Sequence, residues 1–206
     1  MPHHRPAEPD IQRYYTEVFA EADRRHATPR GRLEARRTRD LLARLLPDGS
    51  ADATLLLGPL YHLTGAADRV AALREAARLT RPGGPVVAAV ISRNAPLIDL
   101  TAKGRVDPGN RPLLRAAYAS GVNDPETGFT TAYFHGPEQV VAEFRAAGLP
   151  APAVYGVEGP LWPLLNALGT GPEEPLFADA VVCAETVEQD PAVFGTSAHL
   201  LGVAFS

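Results

Sequence analysis

Cysteine, methionine, tryptophan and lysine are almost missing from this chain. Its 206 residues include one Cys, one Met and one Trp, and Lys103 is the single lysine among 20 basic residues. A lone Cys183 excludes an intramolecular disulfide, so the cytoplasm is the expected compartment and a buried core has to hold the fold. No apolar run approaches the roughly 20 residues of a membrane-spanning helix, so no span and no membrane partner are expected. The opening MPHHRPAEPD lacks the apolar stretch of a secretory signal. Neither CxxC nor HxxxH occurs, so no metal is expected. A basic excess is missing too: the net charge is −4, so no nucleic-acid partner is expected. What is present is ordinary for a globular chain: 45% apolar and 21% charged residues, with 20 Pro and 18 Gly to make turns and caps. The length is enough to bury a core without covalent staples.

Along the chain, residues 1–9 hold three prolines and two adjacent histidines and are expected to be a flexible tail. From Asp10, the spacing of Ile11, Tyr14, Tyr15, Val18 and Phe19 predicts an amphipathic helix. Thr28-Pro29 opens a second helix that Pro47 and Gly49 end. The run Asp52-Ala-Thr-Leu-Leu-Leu-Gly58 predicts a strand buried on both faces of a parallel sheet. A helix from Thr64 to Thr80, a turn at Arg81-Pro-Gly-Gly84 and a strand from Pro85 to Ile91 complete a strand–helix–strand unit, the mark of an α/β layer fold. Residues 94–128 form an irregular excursion with helical pieces near 96–102 and 111–119, expected to act as a lid. Later elements are a short extended piece from Thr130 to His135, a helix from Pro137 to Ala147 and a strand from Ala153 to Glu158. A helix-rich stretch over 160–194 and a terminal strand from His199 to Phe205 follow.

Three consecutive features of residues 55–93 carry a resemblance: an apolar strand ending in Gly58-Pro59-Leu60-Tyr61-His62-Leu63, a helix containing LREAARL, and Arg81-Pro82-Gly83-Gly84 before a second apolar strand. This segment resembles class I AdoMet-dependent methyltransferases of small molecules. IQRYYTE, TPRGRLEARRTRDLL, FHGPEQVVAEFRAAGL and the SAHLLGVA ending resemble further elements of one branch, so the likeness covers most of residues 10–206, expected to be one domain with N-terminal helices over 10–47. The family's cofactor site begins with a strand, a GxGxG-type loop and a helix, then a strand ending in an acidic residue that holds the ribose hydroxyls. No such loop occurs here. Only Pro47-Asp48-Gly49-Ser50 separates the second helix from the next strand, whereas one βαβ unit takes roughly 30 or more residues. The resemblance therefore implies an α/β, truncated Rossmann-like methyltransferase sheet of about four strands in the order 4-5-7-6, with N-terminal helices and a helical lid. In that order the strand from Thr54 to Gly58 lies at an edge, a pairing hazard that a homodimer through the same strand, or else the N-terminal helices folding over it, would cover.

Candidate site residues follow from position. The resemblance places Gly58, Pro59, Leu60 and Tyr61 on the AdoMet pocket; Gly58-Pro59 also suits a plain tight turn with Tyr61 and Leu63 in the core. His62 and His135 are the candidate general bases, because an imidazole titrates near neutrality. Each also suits a structural histidine. Tyr14 and Tyr15 match family tyrosines that close over a ligand, though adjacent tyrosines on an amphipathic helix also divide between core and surface. Arg32, in a helix dense in arginine, is a candidate substrate contact through bidentate guanidinium recognition of a carboxylate, and Arg93 is one because it follows the second strand at the end that faces the cleft. Arg32 equally suits a solvated basic face. AdoMet enters by family resemblance only, and a chain without cofactor stays open. Three functions are open: a small-molecule methyltransferase, a non-catalytic methyltransferase-derived dimerisation or partner-binding protein, and a ligand-binding cleft repurposed for AdoMet-independent chemistry.

Overall fold

A computed structural model describes residues 48–123, 132–171 and 173–206. The predicted helices over 10–47, with Tyr14, Tyr15 and Arg32, lie outside the described residues. The first described strand, β1 (Thr54–Leu56), leads through a single helical turn, α1 (Pro59–His62), into helix α2 (Ala66–Leu79) and strand β2 (Pro85–Ile91). β1 and β2 pair in parallel, with Thr54 opposite Val86 and Leu56 opposite Ala88. The predicted strand–helix–strand unit is thus present, and α2 ends where Thr80 turns extended before Pro82.

The chain then leaves the sheet for α3 (Ala95–Ala102), α4 (Arg111–Ser120) and a two-stranded antiparallel pair, β3 (Val122–Asn123) with β4 (Ala132–Tyr133). Helix α5 (Pro137–Ala146) starts at Gly136-Pro137, where the proline's missing N–H costs nothing, and stops before Gly148 at φ +89°. Strand β5 (Ala153–Gly156), helices α6 (Trp162–Leu168) and α7 (Pro175–Val187), a 3₁₀ turn (Phe194–Thr196) and strand β6 (His199–Phe205) finish the chain.

The main sheet has the order β1-β2-β6-β5. With β6 the last strand in sequence, that is the arrangement numbered 4-5-7-6 in the family, and the small β3–β4 sheet is an addition to it. β6 runs antiparallel between β2 and β5, with Val86 opposite Ala204, Val90 opposite Leu200 and Val154 opposite Gly202. These residues point to one face, and α2 and α5 pack on it through Leu73, Ala76, Val140 and Phe144. Gly202 is required there, since a Cβ would stand 2.9 Å from Val140 and 3.0 Å from the Phe144 ring.

β1 departs from the expectation of a strand buried on both faces. Leu55 is 59% and Leu57 57% exposed, while Thr54 and Leu56 are half-buried. The physical reason is its place: β1 ends the sheet, and among the described residues it pairs only with β2. Alternation along an edge strand leaves one set of side chains without a covering layer.

Candidate functional site

Antiparallel pairing builds the site. β2 ends at Ile91, and its register partner in β6 is His199, the first residue of that strand. The start of β6 is therefore brought to the carboxyl end of β2, the end where open α/β sheets hold ligands. Glu158 follows β5, and its carboxylate takes the His199 backbone N–H at 2.9 Å through Oε2 and the ring Nδ1 through Oε1. Val157 N–H donates to the His199 carbonyl at 3.1 Å, which fixes the two segments against each other. The Glu158 hydrogen bond raises the His199 pKa above its ordinary value against the opposing effect of burial. Burial pushes the Glu158 carboxyl up, but the hydrogen bonds from the His199 ring and backbone outweigh it and hold it low. With Nδ1–H directed to the carboxylate, Nε2 is the nitrogen left for a ligand.

His199 and Glu158 line a cavity of about 920 Å³, within the usual range for small-molecule sites. Ile91, Leu100, Phe134 and Trp162 supply apolar wall, and Asp99, Lys103, Arg105, Asp107, Asn110, Asn123 and Asn166 supply polar groups. Most of the polar wall comes from the excursion after β2. Its geometry is set locally: Lys103 pairs with Asp99 at 2.7 Å, one helical turn apart, and Asn110 donates to the Arg105 carbonyl at 2.7 Å. Trp162 is held by its indole N–H on the Thr196 carbonyl at 2.8 Å.

A second cavity, of about 350 Å³, is lined by Ser92, Arg93, Asn94, Tyr118, His135 and the start of α5. It brings together two residues expected to act: Arg93 and His135. Both are engaged in structure. The Arg93 guanidinium donates to Gln139 Oε1 at 2.6 Å and to the Phe134 carbonyl at 3.4 Å. His135 is fully buried; its N–H donates to the Ile91 carbonyl at 2.8 Å, and its Nε2 meets Glu143 Oε2 at 3.2 Å. Glu143 in turn takes Nε and Nη2 of the buried Arg69 at 2.8 Å each, and that guanidinium lies 3.6 Å from the centre of the Tyr133 ring. Burial pushes the Glu143 carboxyl up, but hydrogen bonding and charge from His135, then Arg69, hold it below its ordinary value. His135 Nδ1 has no hydrogen-bond partner among the described residues. This arrangement ties α2 to α5 and β4, a buried structural network rather than an open base.

The turn after β1 places Gly58 in extended backbone as the residue before α1. Leu60 is 1% exposed and belongs to the main core, so its side chain is turned away from any ligand. Tyr61 is half-buried, His62 is exposed with its ring 4.5 Å from the Tyr61 ring, and neither lines the two cavities. Pro59 has no N–H to offer a phosphate or carboxylate. This turn has no carboxylate of its own, and no GxGxG-type loop occurs among the described residues, so these residues alone do not make the AdoMet site that the resemblance implies. His199 and Glu158 were missed by the sequence reading. Their one sequence signal was position, since each sits at the boundary of a predicted strand.

Residues 14–88 match the family described as Methyltransferase domain. No curated protein matches the chain significantly. Among solved structures, a SAM-dependent methyltransferase from Thermotoga maritima is 18% identical at a TM-score of 0.42, with 78% of this chain and 58% of that one covered. A SAM-dependent methyltransferase from Archaeoglobus fulgidus is 13% identical at a TM-score of 0.41, with 79% and 62% covered. The chain thus spans less than two thirds of the length of either structure.

Proposed function

From the premise that this chain is similar to class I AdoMet-dependent methyltransferases, matching their domain family over residues 14–88, we propose that it holds a small molecule at the carboxyl end of β2. In this reading the described residues supply the substrate side of that fold, and no GxGxG-type loop occurs among them. One observation supports this most: the cavity of about 920 Å³ stands at the strand ends and takes much of its wall from the excursion after β2. Among the described residues no helix is long and apolar enough to cross a membrane, and a cytoplasmic location remains part of the proposal. Calorimetric titration with AdoMet tests the cofactor half of this reading. No saturable heat is expected up to high micromolar AdoMet. Micromolar affinity would overturn it and restore AdoMet-dependent methyl transfer as the activity of this chain.

A second reading rests on the β1 edge. Leu55 and Leu57 expose 59% and 57% of their surface beside a strand that pairs on one side only among the described residues. Two copies joined along this strand about a two-fold axis would pair the open backbone groups and bury those leucines. Light scattering at micromolar concentration would show a dimer that Leu55→Lys dissociates; a wild-type monomer refutes it.

A further inference from the structure

We propose that Glu158 and His199 act together as a proton-accepting dyad for a flat, apolar small molecule bearing a phenol- or enol-type hydroxyl. The inference rests on the reading of the large cavity as a small-molecule site and deepens it. Three features of the site point this way. The dyad lines the cavity, so the imidazole is not a core residue: its side chain is 46% exposed. Glu158 grips both the backbone N–H and the ring Nδ1 of His199, which sets the ring's orientation and its tautomer. Lastly, Phe134, Trp162, Ile91 and Leu100 offer apolar wall for the body of such a molecule, while the polar groups come from the excursion, Asn166 and the dyad.

The chemistry is a single proton transfer. The ligand O–H bond breaks, its electron pair stays on oxygen, and the proton forms an N–H bond at His199 Nε2. The imidazole becomes imidazolium, and the Glu158 carboxylate balances its charge, as a carboxylate does for a histidine that must hold a proton. The product is an oxyanion facing an imidazolium, with no further reactant consumed. A histidine so held has its proton affinity raised, which makes it a better acceptor at the cost of being protonated at a higher pH in the empty site.

Trp162 is the single tryptophan, so intrinsic fluorescence reports the cavity directly. The probe is p-nitrophenol, whose visible absorbance distinguishes phenol from phenolate. Quenching of Trp162 reads occupancy, and absorbance reads the proton. In the full chain, saturable quenching is expected, with phenolate enriched in the bound fraction over bulk solution at the same pH. His199→Gln is expected to leave the quenching in place and lower the bound phenolate-to-phenol ratio about tenfold, the equivalent of one pKa unit. Glu158→Gln, which keeps the imidazole, is expected to lower it severalfold, so loss of folding in one variant does not remove the test. Quenching with no phenolate enrichment, or an enrichment that both variants keep, overturns the dyad and leaves the cavity reading standing. No quenching by the wild-type chain overturns both.

Discussion

Replacing Arg69 by Met should reveal how much the buried network contributes to the fold. Arg69 is 2% and Glu143 8% exposed. The guanidinium gives two contacts of 2.8 Å to Glu143 Oε1 and donates to the Leu63 and Thr64 carbonyls at 2.7 and 2.9 Å. Met keeps much of the stem's volume but leaves the Glu143 carboxylate with only His135 beside it. Removing one partner of a buried ion pair costs about 3–5 kcal/mol, a large part of the roughly 5–15 kcal/mol that holds a domain. At a urea dependence of about 2 kcal/mol/M, the midpoint should fall by about 1.5–2.5 M. Circular dichroism in urea at pH 7 measures it. The double variant Arg69→Met, Glu143→Met removes both charges and should regain about 1 kcal/mol or more relative to the single one, because no orphaned carboxylate is left buried. The acid limb gives a third check. Glu143's folded pKa is depressed, so its contribution is present above the unfolded value near 4.5 and lost as pH falls through the folded one. Without Arg69 that loss should begin at a higher pH. A single variant within about 1 kcal/mol of wild type, or a double variant less stable than the single one, would refute this account of the pair.

Two further outcomes are expected. The His199–Glu158 pair should stabilise the fold between the ordinary carboxylate and imidazole ranges. His199's folded pKa is raised, so its share is complete below its unfolded value near 6.5 and lost as pH rises through the folded one. Glu158's share is lost as pH falls through its depressed value. NMR titration should show Glu158→Gln moving the His199 midpoint down toward 6.5; an unmoved midpoint argues against the pairing. Gly202→Ala should cost about 1–3 kcal/mol by overpacking against Val140 and Phe144, and an unchanged melting curve would show that α5 yields easily.

The strands and helices of the sheet were legible because they announce themselves locally, whereas their order was implied only by the resemblance. Apolar runs flanked by Gly and Pro mark β2 and β6, and helical periodicity marks α2 and α5. Side-chain roles were less legible. Arg93 follows β2 along the chain, but a sequence cannot show that Gln139 engages it or that Glu143 engages His135. Leu60 shows the same limit: its place after a strand end suggested a pocket, and packing turned it into the core.

By itself, then, the sequence determined an α/β chain with a strand–helix–strand unit, four main strands and an excursion after the second. Periodicity, turn residues and spacing are properties of neighbours along the chain. Tertiary structure alone decided which side chains share a cavity. His199 and Glu158 are 41 residues apart and meet because β6 runs antiparallel to both β2 and β5. Arg69 and Glu143 are 74 apart and meet because α2 and α5 cover one face of the sheet. Strand direction and register set such pairings, and both are fixed only when the core closes.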